Sequence, residues 1–318
     1  GRFYQQPNLE NLYTSYRFIE YMVRNFPYYF AFGNPNLTPE TTTAYEVGFT
    51  QAVSPKVRLD ITAYYKDVQD LVQVLNIPSS PRNFASYRNT DYGTIKGVDL
   101  NLQLLDSRGI SGSLTYSLAY ATGTGSISDT QRDIAWTGSE TPKMTAPLAF
   151  DQRHKVVLNA DFRTGPEQGP KVGGVFPFER MGLNLLYNIG SGFPYTPVVT
   201  ENEVTLASIS QTPTGPINSR YGPWTSNLDA KLTRAFQVGG TNLEASIWVL
   251  NVLDSENELV VYAGSGTART TGWLATEDGR AWARDNGEEA VALYRTKELN
   301  PLQFGSPRQV RFGLRTSF

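Results

Sequence analysis

The residues able to do chemistry in this chain are few. His154, in "FDQRHKVVLNADF", is the single histidine, and cysteine is absent. Thiolate nucleophiles and Cys-ligated zinc are therefore excluded, and a His-based triad or a two-His metal site lacks its partners. One imidazole can still serve as a lone acid or base. Placed where a loop enters a strand, His154 reads more simply as a strand-end residue bonded to a neighbour. Asp60 and Asp99 could form a carboxylate pair, but polar residues at every second position are what a strand with one wet face requires. The runs "ATGTGS" and "AGSGTA" resemble phosphate cradles, yet neither leads from a strand into a helix with the required Lys, so both read as loops. No catalytic residue, metal site or cofactor is expected.

The elements that hold these residues follow from composition and periodicity. Among 318 residues, 18% are charged and 12% aromatic, with 28 Gly. That is fewer charges than a soluble domain usually carries, so a sheet-rich protein in an unusual solvent is expected. A net charge of -2 offers no basic field for nucleic acid. No apolar run approaches the length of a transmembrane helix. Strict alternation recurs instead. Val57, Leu59, Ile61, Ala63 and Tyr65 oppose Arg58, Asp60, Thr62 and Tyr64, and Val98, Leu100, Leu102 and Leu104 oppose Asp99, Asn101 and Gln103. Similar splits around Tyr45, Leu114, Val156, Leu183, Leu228, Leu243 and Val310 give about nine strands of roughly ten residues, the length a tilted membrane strand needs.

Connections alternate between tight turns, such as "VSPK" and "DSRG", and long loops near 8–42, 72–90, 122–152, 190–223 and 253–306. Short turns on one rim and long loops on the other are the topology of an outer-membrane barrel, with short periplasmic turns and long extracellular loops. Strands heading for the short turns end on Phe49, Phe162, Phe236 and Phe318. Those heading for the long loops end near Tyr65, Tyr120, Tyr187 and Trp248, so the two sets are assigned to two interfacial girdles. Arg234 falls in the lipid-facing phase, Thr316 is polar among apolar strand-mates, and Gly97 suggests a bulge. The segment "EDGRAWARDNGEEAVALYRTKE" has helical composition and fits a lid helix interrupted at Gly287. "GRFYQQP" looks like the outer end of a strand, so the chain is expected to be the C-terminal part of one barrel domain, residues 1–318, supplying about 9–10 strands.

"NPNLTPETTTAYEVGFTQAVSPKVRLDITAYYKDVQDLV" (34–72) resembles the segment that marks TonB-dependent outer-membrane receptors, and "DQRHKVVLNADF", "SNLDAKLTRAF" and "LNVLD" add to the likeness. The final stretch, "GWLATEDGRAW" through "NPLQFGSPRQVRFGLRTSF", is similar to the Oar-like branch of that family. The resemblance implies an all-β transmembrane antiparallel barrel of 22 strands with a plug domain outside this chain. It also implies energy delivered through TonB, a location in the outer membrane of a Gram-negative-type bacterium, and uptake of a scarce nutrient. Oar-like export or surface assembly of a protein, or a passive porin, are the alternatives. Expected partners are outer-membrane lipid, TonB by way of the plug, the barrel-assembly machinery, and a nutrient or protein substrate. Tyr28, Tyr29, Phe30, Tyr195, Trp224 and Tyr262 are the candidate contacts for ligand or partner in the extracellular loops. Gly313, Leu314 and Phe318 resemble the C-terminal signal read by the assembly machinery.

Overall fold

The computed structural model describes residues 1–25, 31–80, 83–130, 143–174, 176–200, 212–238 and 240–317. Thirteen strands are described: β1 Arg2–Gln5, β2 Glu40–Ser54, β3 Val57–Ile77, β4 Phe84–Ser107, β5 Ile110–Gly123, β6 Ala146–Pro147, β7 His154–Arg163, β8 Met181–Gly190, β9 Pro194–Tyr195, β10 Arg220–Tyr221, β11 Thr225–Val238, β12 Thr241–Leu250 and β13 Gln309–Ser317. Eleven form one antiparallel sheet in the order β1-β2-β3-β4-β5-β7-β8-β11-β12-β13, with β6 paired to β5, while β9 and β10 pair apart from it. Each wall strand thus bonds to its neighbours in sequence, as in an up-and-down barrel wall. No helix among the described residues is long and apolar enough to cross a membrane.

Alternation sorts the wall into two faces. Tyr45, Val47 and Phe49 are 65%, 72% and 57% exposed, and Phe312 and Leu314 are also open. A continuous apolar face of this kind suits lipid rather than water. Tyr45 pairs with Tyr65, Tyr65 with Lys96, and Lys96 with Tyr120, forming an aromatic row in which a lysine can lay its stem along the rings and lift its charge toward the headgroups. On the other face Thr50 donates to Asp60 at 2.7 Å and Asn184 donates to Asn159 at 2.8 Å. Only two residues separate β4 from β5, Arg108 (φ 55) and Gly109 (φ 83), and positive φ at both is the type I′ geometry that matches strand twist.

Four expectations change. Strands β3 and β4 have 21 and 24 residues, not about ten, so most of the expected loop 72–90 is a paired ribbon. Its register slips around Asp70, which adopts φ 61, and above that bulge Val72, Val74 and Tyr87 form a small core with Ala31, Leu37 and Ala85. Gly97 makes no bulge; it pairs regularly with Tyr64 and Ala119. Glycine is required there because a Cβ would strike the Leu118 carbonyl and the Tyr64 ring. Trp248 does not join a girdle, since it alternates with Ile247 and Val249 and lies on the polar face. The long first loop contains two helices, Leu9–Leu12 and Tyr16–Asn25, that alternation gave no sign of. The helix expected in the last loop is present as Glu277–Glu298, kinked where Gly287 adopts φ 80.

Candidate functional site: a polar vestibule at the mouth of the barrel

Side chains, rather than backbone ladders, hold the long-loop rim together. Asp151, 1% exposed, accepts Ala121 N–H at 2.8 Å through Oδ1. Its Oδ2 accepts the Tyr221 hydroxyl at 2.7 Å and Arg153 Nε at 2.8 Å. The Arg153 guanidinium lies 4.1 Å from the Tyr120 ring centroid, a cation–π contact that binds the loop to the girdle. Burial, reinforced by the Asp151 hydrogen bond, raises the Tyr221 phenol above its ordinary pKa. Gln152 Nε2 donates to the Ser191 carbonyl at 2.9 Å, joining the entry of β7 to the exit of β8.

Beside this knot a cavity of about 500 Å³ opens on the polar face where β7, β8, β11, β12 and β13 meet the loops. Gln152, Lys155, Asn188, Asn227, Gln309 and Arg311 present its polar surface. Its edge is built by the two ends of the excursion between β12 and β13. Asp229 Oδ1 accepts Asn227 Nδ2 at 2.8 Å and Asn251 N–H at 2.9 Å. Asn251, at φ 52, donates Nδ2 to the carbonyls of Ser255 and Ser306, both at 3.1 Å, so one amide fastens the outgoing and returning chain. Asn257 exchanges two hydrogen bonds with the Ser226 backbone at 2.7 and 2.8 Å.

Below the cavity a row of facing residues runs Asp161, Asn184, Lys231, Trp248 and Arg311 across five strands. The Lys231 ammonium and Arg311 guanidinium stand 5.9 and 5.7 Å from the Trp248 ring centroid. That arrangement makes an electropositive, semi-rigid stretch of inner wall.

The excursion itself is a compact unit. Trp273, Trp282 and Tyr294 pack with ring centroids 5.3 to 5.9 Å apart. Glu298, nearly buried, accepts Thr271 N–H at 2.6 Å, the Thr270 hydroxyl at 2.7 Å and the Thr271 hydroxyl at 2.9 Å. Burial pushes the Glu258 carboxyl up, but Ala268 N–H, the Thr267 hydroxyl and Arg269 outweigh it and hold the pKa below its ordinary value.

Three of the expected contact residues, Tyr195, Trp224 and Tyr262, lie among the described residues. Tyr262 donates its hydroxyl to the Glu298 carbonyl at 2.8 Å, and its own carbonyl accepts Gly266 N–H at 2.7 Å. The Tyr195 hydroxyl abuts Gly266, so these two tyrosines meet at one turn. Trp224 stacks on His154 at 5.6 Å, and His154 on Tyr116 at 6.2 Å with Nδ1 2.9 Å from the Tyr116 hydroxyl. All three continue the outer-face phase of their strands, and His154 has the bonded neighbour its position suggested. Gly313 lies on the inner face opposite Ser246, and Leu314 is 68% exposed on the outer face. Tyr28, Tyr29, Phe30 and Phe318 lie outside the described residues. The polar lining escaped sequence reasoning, although Asn188, Asn227 and Gln309 all occupy the non-apolar phase near strand ends. Among the described residues no group of three or more His, Cys, Asp or Glu could hold a metal ion.

A model of the family described as TonB dependent receptor-like, beta-barrel, matches residues 1–252. The chain belongs to that family. The receptor barrel is 35% identical over 68 residues to a vitamin B12 transporter, BtuB, from Vibrio vulnificus, covering 21% of this chain and 11% of that protein. In fold it is similar to the outer membrane transporter YddB of Escherichia coli, with a TM-score of 0.51 at 15% identity over 73% of this chain and 31% of that one. The receptor barrel therefore spans well under half the length of these relatives. Its wall is a TonB-dependent receptor β-barrel wall, and its place is the outer membrane of a Gram-negative bacterium.

Proposed function

We propose that this chain serves an outer-membrane transporter that takes up a scarce nutrient, with the vestibule above Trp248 as the station where substrate meets the barrel. One observation carries the reading: a polar cavity on the inner face of a lipid-facing wall, bordered by an excursion pinned at both ends. A passive pore gains nothing from such a fixed mouth, whereas a receptor needs a preorganised surface to concentrate dilute ligand. The transporters named among its relatives support the assignment. Residues 1–318 are taken as the C-terminal part of one 22-stranded barrel domain, without catalytic activity. Energy would come from TonB through a plug domain contributed from outside this segment. Gly313, Leu314 and Phe318 are proposed as the assembly signal. Tyr195 and Tyr262 are assigned to positioning the last excursion, Trp224 to the outer girdle, and Tyr28, Tyr29 and Phe30 to ligand contact.

Growth tests the reading. A strain lacking the protein should lose growth on a limiting nutrient, and a strain lacking TonB should lose it equally. Growth unaffected by TonB would favour a passive pore. The Oar-like resemblance of the sequence from Gly272 onward favours a second reading, export of a protein partner. Loss of a secreted protein with no nutritional phenotype would decide for it.

A further inference from the structure

The kink in the last helix carries a chemistry of its own. Glu277–Glu298 is two half-helices joined at Gly287, whose φ of 80 and ψ of 178 interrupt the helical ladder. Asn286 precedes the break, and Asn286-Gly287 is the one Asn-Gly pair in the chain. Both residues are exposed, and a Cβ built on Gly287 would meet nothing within 4 Å. One hydrogen bond holds the Asn286 side chain, Nδ2 donating to the Trp282 carbonyl at 2.9 Å. At an exposed site water replaces such a bond at little net cost. Two similar pairs are locked. Gly279 of Asp278-Gly279 is buried and spends its N–H on Thr276 Oγ1 at 3.1 Å. In Asn218-Ser219, Asn218 Nδ2 donates to the Pro147 carbonyl at 2.7 Å and Ser219 N–H to the Pro216 carbonyl at 3.3 Å.

We propose that Asn286 is a self-modification site, where the Gly287 backbone nitrogen turns the side-chain amide into a carboxylate and so loosens the kink. The Gly287 nitrogen gives its proton to water and attacks Asn286 Cγ. The new C–N bond closes a succinimide ring, the Cγ–Nδ2 bond breaks, and Nδ2 takes up a proton and leaves as ammonia. Water then opens the ring. Cleavage at Cγ gives aspartate, and cleavage at the Asn286 main-chain carbonyl gives isoaspartate, with the backbone rerouted through the side chain. Nothing is oxidised or reduced, and water is the one co-reactant. The reacting atoms are neighbours in the chain, so the attack is intramolecular. In an unbroken helix the ladder stops the peptide from turning to meet Cγ. Here the ladder is broken at the attacking residue, and glycine brings no Cβ to crowd the ring. The product changes the local balance. A carboxylate at 286 cannot donate to the Trp282 carbonyl, and it stands at the C-terminal end of the first half-helix, where partial negative charge repels it. It also joins Asp285, Glu288 and Glu289. Trp282 packs on Trp273 and Tyr294, so the loosening begins at a residue that ties the two half-helices together.

The test incubates the folded protein in detergent for days at mildly alkaline pH, digests it in acid, and reads the peptides by mass spectrometry and by methylation with a protein isoaspartyl methyltransferase. The peptide holding Asn286 should gain the mass of an amide turned acid and accept methyl groups, while Asn218 and Asp278 stay unchanged. Asn286→Gln should abolish the change, and Gly287→Ala should slow it about tenfold by placing a Cβ on the attacking residue. Asn286→Asp, which installs the product, should raise the rate of protease cleavage within 284–289 about fivefold over Asn286→Gln. Heat-modifiable mobility on gels confirms that each variant is assembled. No conversion of Asn286 in the folded protein, conversion no faster than at Asn218 or Asp278, or equal protease resistance of the Asn286→Asp and Asn286→Gln variants overturns the proposal.

Discussion

Two structures rise from the long-loop rim, and they are built on opposite principles. The β3–β4 ribbon extends the wall by continuing its backbone ladder to Ile77 and Phe84, with three buried residues, Val72, Val74 and Tyr87, beneath it. The excursion from Asn251 to Arg308 has a single backbone bridge, Glu258 with Phe304, in place of a ladder. It stands on the side chains of Asp229, Asn251 and Asn257 and packs around its own aromatic trio. A ladder distributes stability over many weak equal contacts, whereas a stitched loop concentrates it in a few buried polar groups whose loss leaves partners unsatisfied. The ribbon should tolerate point changes that the excursion does not, except where the ladder itself is blocked.

Blocking the ladder is the largest expected effect. Gly97→Leu forces a side chain into the Leu118 carbonyl and Tyr64 ring, so the folded, heat-modifiable form should disappear from outer-membrane fractions; normal yield would show that the strands can part there. Next comes Asn251→Leu, which removes the amide bridging the Ser255 and Ser306 carbonyls and places a branched side chain at φ 52. With each orphaned partner worth about 1–3 kcal/mol, limited proteolysis should cut within 252–307 while the wall stays intact. Val74→Ala, at a fully buried site of the ribbon, should cost about 1–3 kcal/mol and loosen only the ribbon tip, read by hydrogen exchange of residues 72–89.

The smallest effect concerns pH. Because the folded pKa of Glu258 is depressed, its contribution is fully present above the ordinary value of 4.5 and is lost as pH falls through the lower folded value. Protease sensitivity of the excursion should therefore rise in that acidic window and not between pH 5 and 8, and Glu258→Gln should remove the dependence.

Much of the wall was legible because alternation is a direct imprint of a two-solvent environment. Faces, turns and the break at Gly287 all followed from residue type. The ribbon was missed because bulges at Asp70 interrupt the period, and the segment beyond reads as a polar loop once the phase is lost. Trp248 was misplaced by trusting proximity to a strand end over parity; with Ile247 and Val249 apolar on either side, its even position already put it inside. Gly97 looked like an insertion because its absent side chain hides the phase, whereas the true cause, a tyrosine lying across it, belongs to another strand. The vestibule was harder to foresee, since its amides come from three strands and two loops and no local spacing announces them.

The stack of Tyr116, His154 and Trp224 has an optical consequence. An indole stacked nearly parallel on another ring is held in one orientation, and the Trp224 and His154 planes lie 14° apart at 5.6 Å. The direction in which Trp224 absorbs and emits light is thereby fixed to the barrel wall, so that its polarisation reports how the wall stands in the membrane.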